Sequence, residues 1–104
     1  MDTKELLGRV CGNINDNEIC IYDCGDGVYM RLIKGAAKSD FLKICGECEE
    51  LGYTLFQRND LEENRHASYR GDMLIHAYFC PAEKILRVIC DPYSVEFECE
   101  EPKY

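Results

Sequence analysis

The sequence has no apolar run approaching the length a membrane-spanning helix needs, about 20 residues. It also lacks basic clusters. Twelve Lys and Arg stand against 20 Asp and Glu, for a net charge of −8, and nowhere do three bases fall consecutively. Phosphate backbones and anionic lipid surfaces are bound through clustered bases, so neither a nucleic acid nor a membrane is an expected partner. Met1 to Val10 carries Asp2, Glu5 and Arg9 and lacks the apolar stretch of a signal peptide. The expected location is therefore cytoplasmic. Serine is scarce, at Ser39, Ser68 and Ser94, and histidine occurs only as His66 and His76. No G-x-S-x-G nucleophile elbow is present. There is no internal repeat and no low-complexity linker.

What remains is an ordinary globular composition, 46% hydrophobic and 31% charged. The 104 residues fit a single domain, 1–104, with Glu100 to Tyr104 as a frayed tail. Such a length can bury a real core without staples.

Element patterns follow from residue spacing. Thr3 to Val10 is short and weakly amphipathic, a helical turn or a strand. Gly12 to Glu18 is a polar loop dense in Asn and Asp. Glu18 to Asp23 and Val28 to Ile33 read as strands around the turn Cys24-Gly25-Asp26-Gly27, a hairpin. Ser39 or Asp40 is placed to cap a helix in which Phe41, Ile44, Cys45, Cys48 and Leu51 recur at helical spacing. Gly52 ends it, because glycine tolerates the left-handed conformation. Tyr53 to Gln57 is a strand, followed by a charged loop from Arg58 to Asn64. Arg65 to Arg70, Met73 to Cys80 and Lys84 to Cys90 are further strands. Ser94 to Cys99 alternates Val95, Phe97 and Cys99 with glutamates, the pattern of a half-buried strand. As far as Cys90 the order reads ββ-α-ββββ, with Ser94 to Cys99 following it. The expected fold is α+β, a mostly antiparallel sheet with one main helix packed on one face.

Register then nominates a surface. If Gly71-Asp72 is a two-residue hairpin loop, Arg70 pairs with Met73, Ala67 with His76 and Arg65 with Tyr78. If Pro81 to Lys84 is a four-residue loop, Tyr78 pairs with Arg87 and His76 with Ile89. One face then holds Met73, Ile75, Ala77, Phe79, Leu86, Val88 and Cys90, and belongs under the helix. The other holds Arg65, Tyr69, Leu74, His76, Tyr78, Arg87 and Ile89. Aromatic rings, a histidine and arginines among aliphatics suit a ligand or partner face, because interfaces are enriched in Tyr and Arg. A half-exposed sheet face has the same composition, since Tyr and Arg stems cover apolar surface. The partners this face admits are a protein, a small molecule or a second copy of the chain.

The eight cysteines, Cys11, Cys20, Cys24, Cys45, Cys48, Cys80, Cys90 and Cys99, are the loudest chemical feature. In a reducing compartment they are free thiols. Cys45-Gly46-Glu47-Cys48 is a CxxC, but its first thiol sits well inside the helix, past the N-terminal field that stabilises a thiolate. Zinc needs four ligands. Cys20 and Cys24 could complete a set with Cys45 and Cys48, at non-standard spacing. The competing reading is that these thiols fill the core as small hydrophobes. No cofactor is implied.

Catalytic constellations are equally thin. On this register His66 and His76 point to opposite faces, which argues against a joint metal site or acid–base pair. Cys80 shares a face with His76 but lies roughly 13 Å along the strand. The run Asn13 to Glu18 lacks the glycine and distal glutamate of a calcium loop. Arg70-Gly71-Asp72 reads as a hairpin turn, not an adhesion motif. Gly25-Asp26-Gly27 leads into a strand, not the helix a phosphate loop requires.

From Asp40 to Pro92 the chain resembles an uncharacterised bacterial domain found on the N-terminal side of SGNH/GDSL-type esterases. The resembling residues are Leu51-Gly52-Tyr53-Thr54-Leu55, Asn64 with Tyr69, Leu74-Ile75-His76-Ala77-Tyr78-Phe79, and Leu86-Arg87-Val88-Ile89 with Asp91. The resemblance implies an accessory role and carries no catalytic residues over. The expected function is a non-catalytic binding or accessory module working through Arg65, Tyr69, His76, Tyr78 and Arg87. The alternatives are a cysteine-based metal or redox protein and a small hydrolase.

Overall fold

The computed structural model describes residues 2–12, 14 and 20–92. The expected strand Ser94 to Cys99, the tail Glu100 to Tyr104 and most of the Gly12 to Glu18 loop lie outside these residues. The fold is α+β: a six-stranded antiparallel sheet with two helices.

The first helix, α1, spans Thr3–Val10. Its start is a capping box. Asp2 accepts from the Glu5 backbone N–H at 2.8 Å, and Glu5 accepts from the Asp2 N–H at 3.1 Å. Leu6, Leu7 and Val10 are buried along one stripe. The stretch that read as a helical turn or a strand is thus a complete helix. Its signal, Asp2-x-x-Glu5, was present in the sequence.

Strands β1 (Cys20–Gly25) and β2 (Val28–Lys34) form the expected hairpin. Asp26 and Gly27 turn it with φ of 54° and 79°, the positive values a tight two-residue turn requires. The Thr3 hydroxyl donates to the Gly27 carbonyl and ties α1 to this turn.

Helix α2 spans Lys38–Glu50 and buries Phe41, Ile44, Cys45 and Cys48. It starts earlier than a Ser39 or Asp40 cap would place it. Ala37 occupies the cap, and Asp40 reaches back to accept its N–H at 2.8 Å. Gly52, at φ +84°, ends the turn as expected.

Strands β3 (Thr54–Asp60), β4 (Arg65–Arg70), β5 (Leu74–Cys80) and β6 (Ile85–Asp91) run as a meander. Arg58 to Asp60, expected in a loop, extend β3 and pair with Ala67 to Arg65. A sheet-edge strand beside water carries polar residues on both sides, which hides it from a periodicity reading. Across the sheet the order is β1-β2-β6-β5-β4-β3. Among the described residues the element order is therefore α-ββ-α-ββββ, not ββ-α-ββββ, and two helices, not one, cover the sheet.

Both helices pack on one face. Leu6, Leu7, Phe41 and Ile44 meet Ile75, Ala77, Phe79, Leu86, Val88 and Cys90, the face expected to lie under the helix. Burial of these side chains removes apolar surface from water and is the dominant stabilising term. Among the described residues, no helix is long and apolar enough to cross a membrane.

Candidate functional site

The site is decided by one turn. Strands β4 and β5 are joined by three residues, Gly71, Asp72 and Met73, with Gly71 N–H donating to the Met73 carbonyl at 3.0 Å. Arg70 therefore pairs with Leu74, Ser68 with His76, and His66 with Tyr78. A two-residue turn would have shifted β4 by one place, and a one-residue slip exchanges every side chain between faces.

The consequence corrects two expected site residues. Arg65 and Tyr69 lie on the helix-covered side, in register with Phe79 and Ile75. Tyr69 is fully buried, and its hydroxyl donates to Glu49 at 3.3 Å. Arg65 sits at the end of the sheet, 3.6 Å from Asp60. His76, Tyr78 and Arg87 do share the helix-free face, with Tyr78 opposite Arg87 and His76 opposite Ile89, as expected. His66, Ser68 and Arg70 take the places of Arg65 and Tyr69. The two histidines share a face after all.

One clue to the true register was available. Ala67 and Tyr69 are the apolar alternates of β4, and only the longer turn aligns them with the apolar alternates Ala77 and Ile75.

The geometry of this face is specific. Ser68 Oγ lies 2.6 Å from His66 Nε2 and 2.6 Å from His76 Nδ1. A hydroxyl carries one proton, so it accepts from one ring N–H and donates to the other ring nitrogen. Both imidazoles are held below their ordinary range. Burial lowers His66. Burial, then the charge of His66, lowers His76, while Asp91 opposes. Neutral rings are the form this arrangement favours.

Rings build the rest of the surface. His66 and Tyr78 stack with centroids 4.5 Å apart and planes 10° from parallel. His76 lies near-parallel to His66 at 6.4 Å. Phe56 meets His76 edge-on at 6.5 Å. A register irregularity between Leu55 and Gln57 places Phe56 at a bulge in β3. The Arg70 guanidinium sits 5.7 Å from the Phe56 ring centre, a cation–π distance. Tyr78 is 40% exposed and Ser68 wholly buried, so an entering molecule meets the rings and not the hydroxyl.

The thiols are distributed otherwise. Cys45 and Cys48 point into the core beneath α2, and Cys11 and Cys90 are buried with them. Burial pushes the Cys11 thiol up to about 11 and raises Cys45, Cys48 and Cys90 as well. These environments disfavour thiolate, the form both redox chemistry and metal ligation need. Cys20 and Cys24 lie on β1 at a sheet edge. The suggested zinc set of Cys20, Cys24, Cys45 and Cys48 is not assembled. Among the described residues no three His, Cys, Asp or Glu side chains converge to hold a metal ion.

Comparison of the chain with family models, with curated proteins and with solved structures finds no match.

Proposed function

We propose that the protein is a non-catalytic binding module and that the helix-free face of its sheet receives an acidic, aromatic-bearing segment of a protein partner. The observation that supports this most is the near-parallel, stacked set of His66, His76 and Tyr78 on the same face as Arg70 and Arg87. Aromatic and arginine side chains carry most interface energy where they cluster. Two arginines against one acid, Asp91, stand on this face in a chain whose net charge is −8, so local and global charge differ in sign. That favours an acidic partner through electrostatic complementarity. It disfavours a second copy docked through the same face, which would set arginines against arginines. The accessory role implied by the esterase-associated resemblance is of this kind.

The test is an amide-resolved NMR titration with a short peptide of alternating Glu, Tyr and Phe, beside a counterpart with Lys for Glu. Binding of the acidic peptide should move the resonances of His66, His76, Tyr78 and Arg87. Tyr78→Ala or Arg87→Glu should weaken it by about tenfold or more. Equal binding of the basic counterpart, or protection of Tyr78 and Arg87 by residues 93–104, would sink the assignment.

A hydrolase reading has one feature in its favour, the 2.6 Å contact of Ser68 with His76. A nucleophile must reach its substrate, however, and Ser68 is fully buried. Turnover of p-nitrophenyl esters that vanishes in Ser68→Ala would reverse this preference.

A further inference from the structure

Independently of the sheet face, we propose that the cleft beside the start of α2 is a binding site for a small organic carboxylate with an apolar body. The cleft has a volume of about 540 Å³ and is lined by Lys38, Arg65 and Lys84, with Glu62 as its acid. Phe79 and Ala36, both buried, supply an apolar floor.

The three cations come from three places in the chain. Lys38 opens α2, Arg65 opens β4 and Lys84 closes the turn between β5 and β6. Two of them break a local rule to be there. Lys38 stands in the first turn of a helix, where the partial positive charge of the helix end disfavours a cation. Lys84 holds φ at +56°, a left-handed conformation strained for any residue with a side chain. The strain is held in place by hydrogen bonds: Ala36 N–H donates to the Lys84 carbonyl at 2.9 Å, and Lys84 N–H to Pro81 at 3.3 Å. Glycine at position 84 would make the same turn without strain.

Both departures set a lysine at the wall of one cleft. Local rules broken together at one place mark a functional constraint more than a folding one. An anion seated between the cations converts their mutual repulsion into attraction. Arg65 adds shape. Asp60 on β3 lies 3.6 Å from its guanidinium and is itself held by Arg58 at 3.0 Å, and the planar fork carries N–H donors matched to a carboxylate. The apolar floor selects a carboxylate with an aromatic or aliphatic body over an inorganic anion.

Benzoate and its neutral isostere benzamide separate charge from shape in an NMR titration of the whole chain. Benzoate should move the amides of Ala36, Lys38, Arg65 and Lys84 together, and benzamide should bind about tenfold more weakly. Lys84→Gly removes the strain and the ammonium at once. It should leave the melting temperature equal or higher while benzoate affinity falls about fivefold. Lys38→Gln, at an exposed position, should weaken benzoate without altering the fold. Tyr78→Ala should leave benzoate binding unchanged, which separates this site from the sheet face. Equal binding of benzamide, unaltered affinity in both lysine variants, or no benzoate binding at millimolar concentration would each overturn the proposal.

Discussion

Ser68 and His76 face each other across β4 and β5, with the serine oxygen 2.6 Å from Nδ1 of the imidazole. The same oxygen lies 2.6 Å from Nε2 of His66. With both rings neutral, one ring N–H donates to the oxygen and the hydroxyl donates to the other ring. With both protonated, the serine proton loses its acceptor and two positive rings stand 6.4 Å apart.

Stability should therefore fall in mild acid. Burial lowers both histidines, and His66 further lowers His76 against the pull of Asp91. A group with a depressed folded pKa binds fewer protons folded than unfolded, so stability rises with pH across that interval. It is fully present above the unfolded histidine value of about 6.5 and declines as pH falls below it toward the folded values. Urea midpoints should hold steady above about pH 7 and drop as pH falls below about 6.5. A His66→Gln, His76→Gln double variant should flatten that segment; an unchanged slope would refute the linkage.

Ser68→Ala should cost about 1–3 kcal/mol, because it leaves partly buried imidazole nitrogens without their partner. Equilibrium urea denaturation measures this directly. A loss near zero would mean that water substitutes for the hydroxyl.

Thiol reactivity should follow burial. Cys24 is exposed, whereas Cys48 and Cys90 are fully buried with raised pKa values. In native buffer, alkylation followed by mass spectrometry should label Cys24 and spare Cys48 and Cys90 until urea is added. Native labelling of Cys48 at the rate of Cys24 would contradict the core assignment.

Gly71→Ala tests the turn that sets the register. An added Cβ would stand 2.9–3.0 Å from the Tyr53 ring, and overpacking of this kind costs about 1–3 kcal/mol. The penalty should shrink in a Tyr53→Ala background, and a double-mutant cycle isolates that coupling. Strict additivity would place the cost elsewhere.

Much of this molecule was legible locally. The helix carrying Phe41, Ile44 and Cys48 announced itself by spacing, and the hairpin at Asp26-Gly27 by turn chemistry. The apolar face of Ile75, Ala77 and Phe79 followed from alternation. The short helix at Thr3 was legible too, through Asp2 and Glu5, but a short segment carries little periodicity. Residues Arg58 to Asp60 were not, because a solvated edge strand has no apolar alternation to display.

The sequence by itself determined much of the composition of the core and the antiparallel meander. These are consequences of periodicity and residue type, which act within one element. Only the tertiary structure decided which residues of β4 share a face with His76. That choice depends on a turn of three residues instead of two, and its energy comes from Ala67 and Tyr69 reaching the core under α2, a distant segment. A one-residue difference in register replaced Arg65 and Tyr69 by His66 and Ser68 on that face, and joined two histidines through a single hydroxyl.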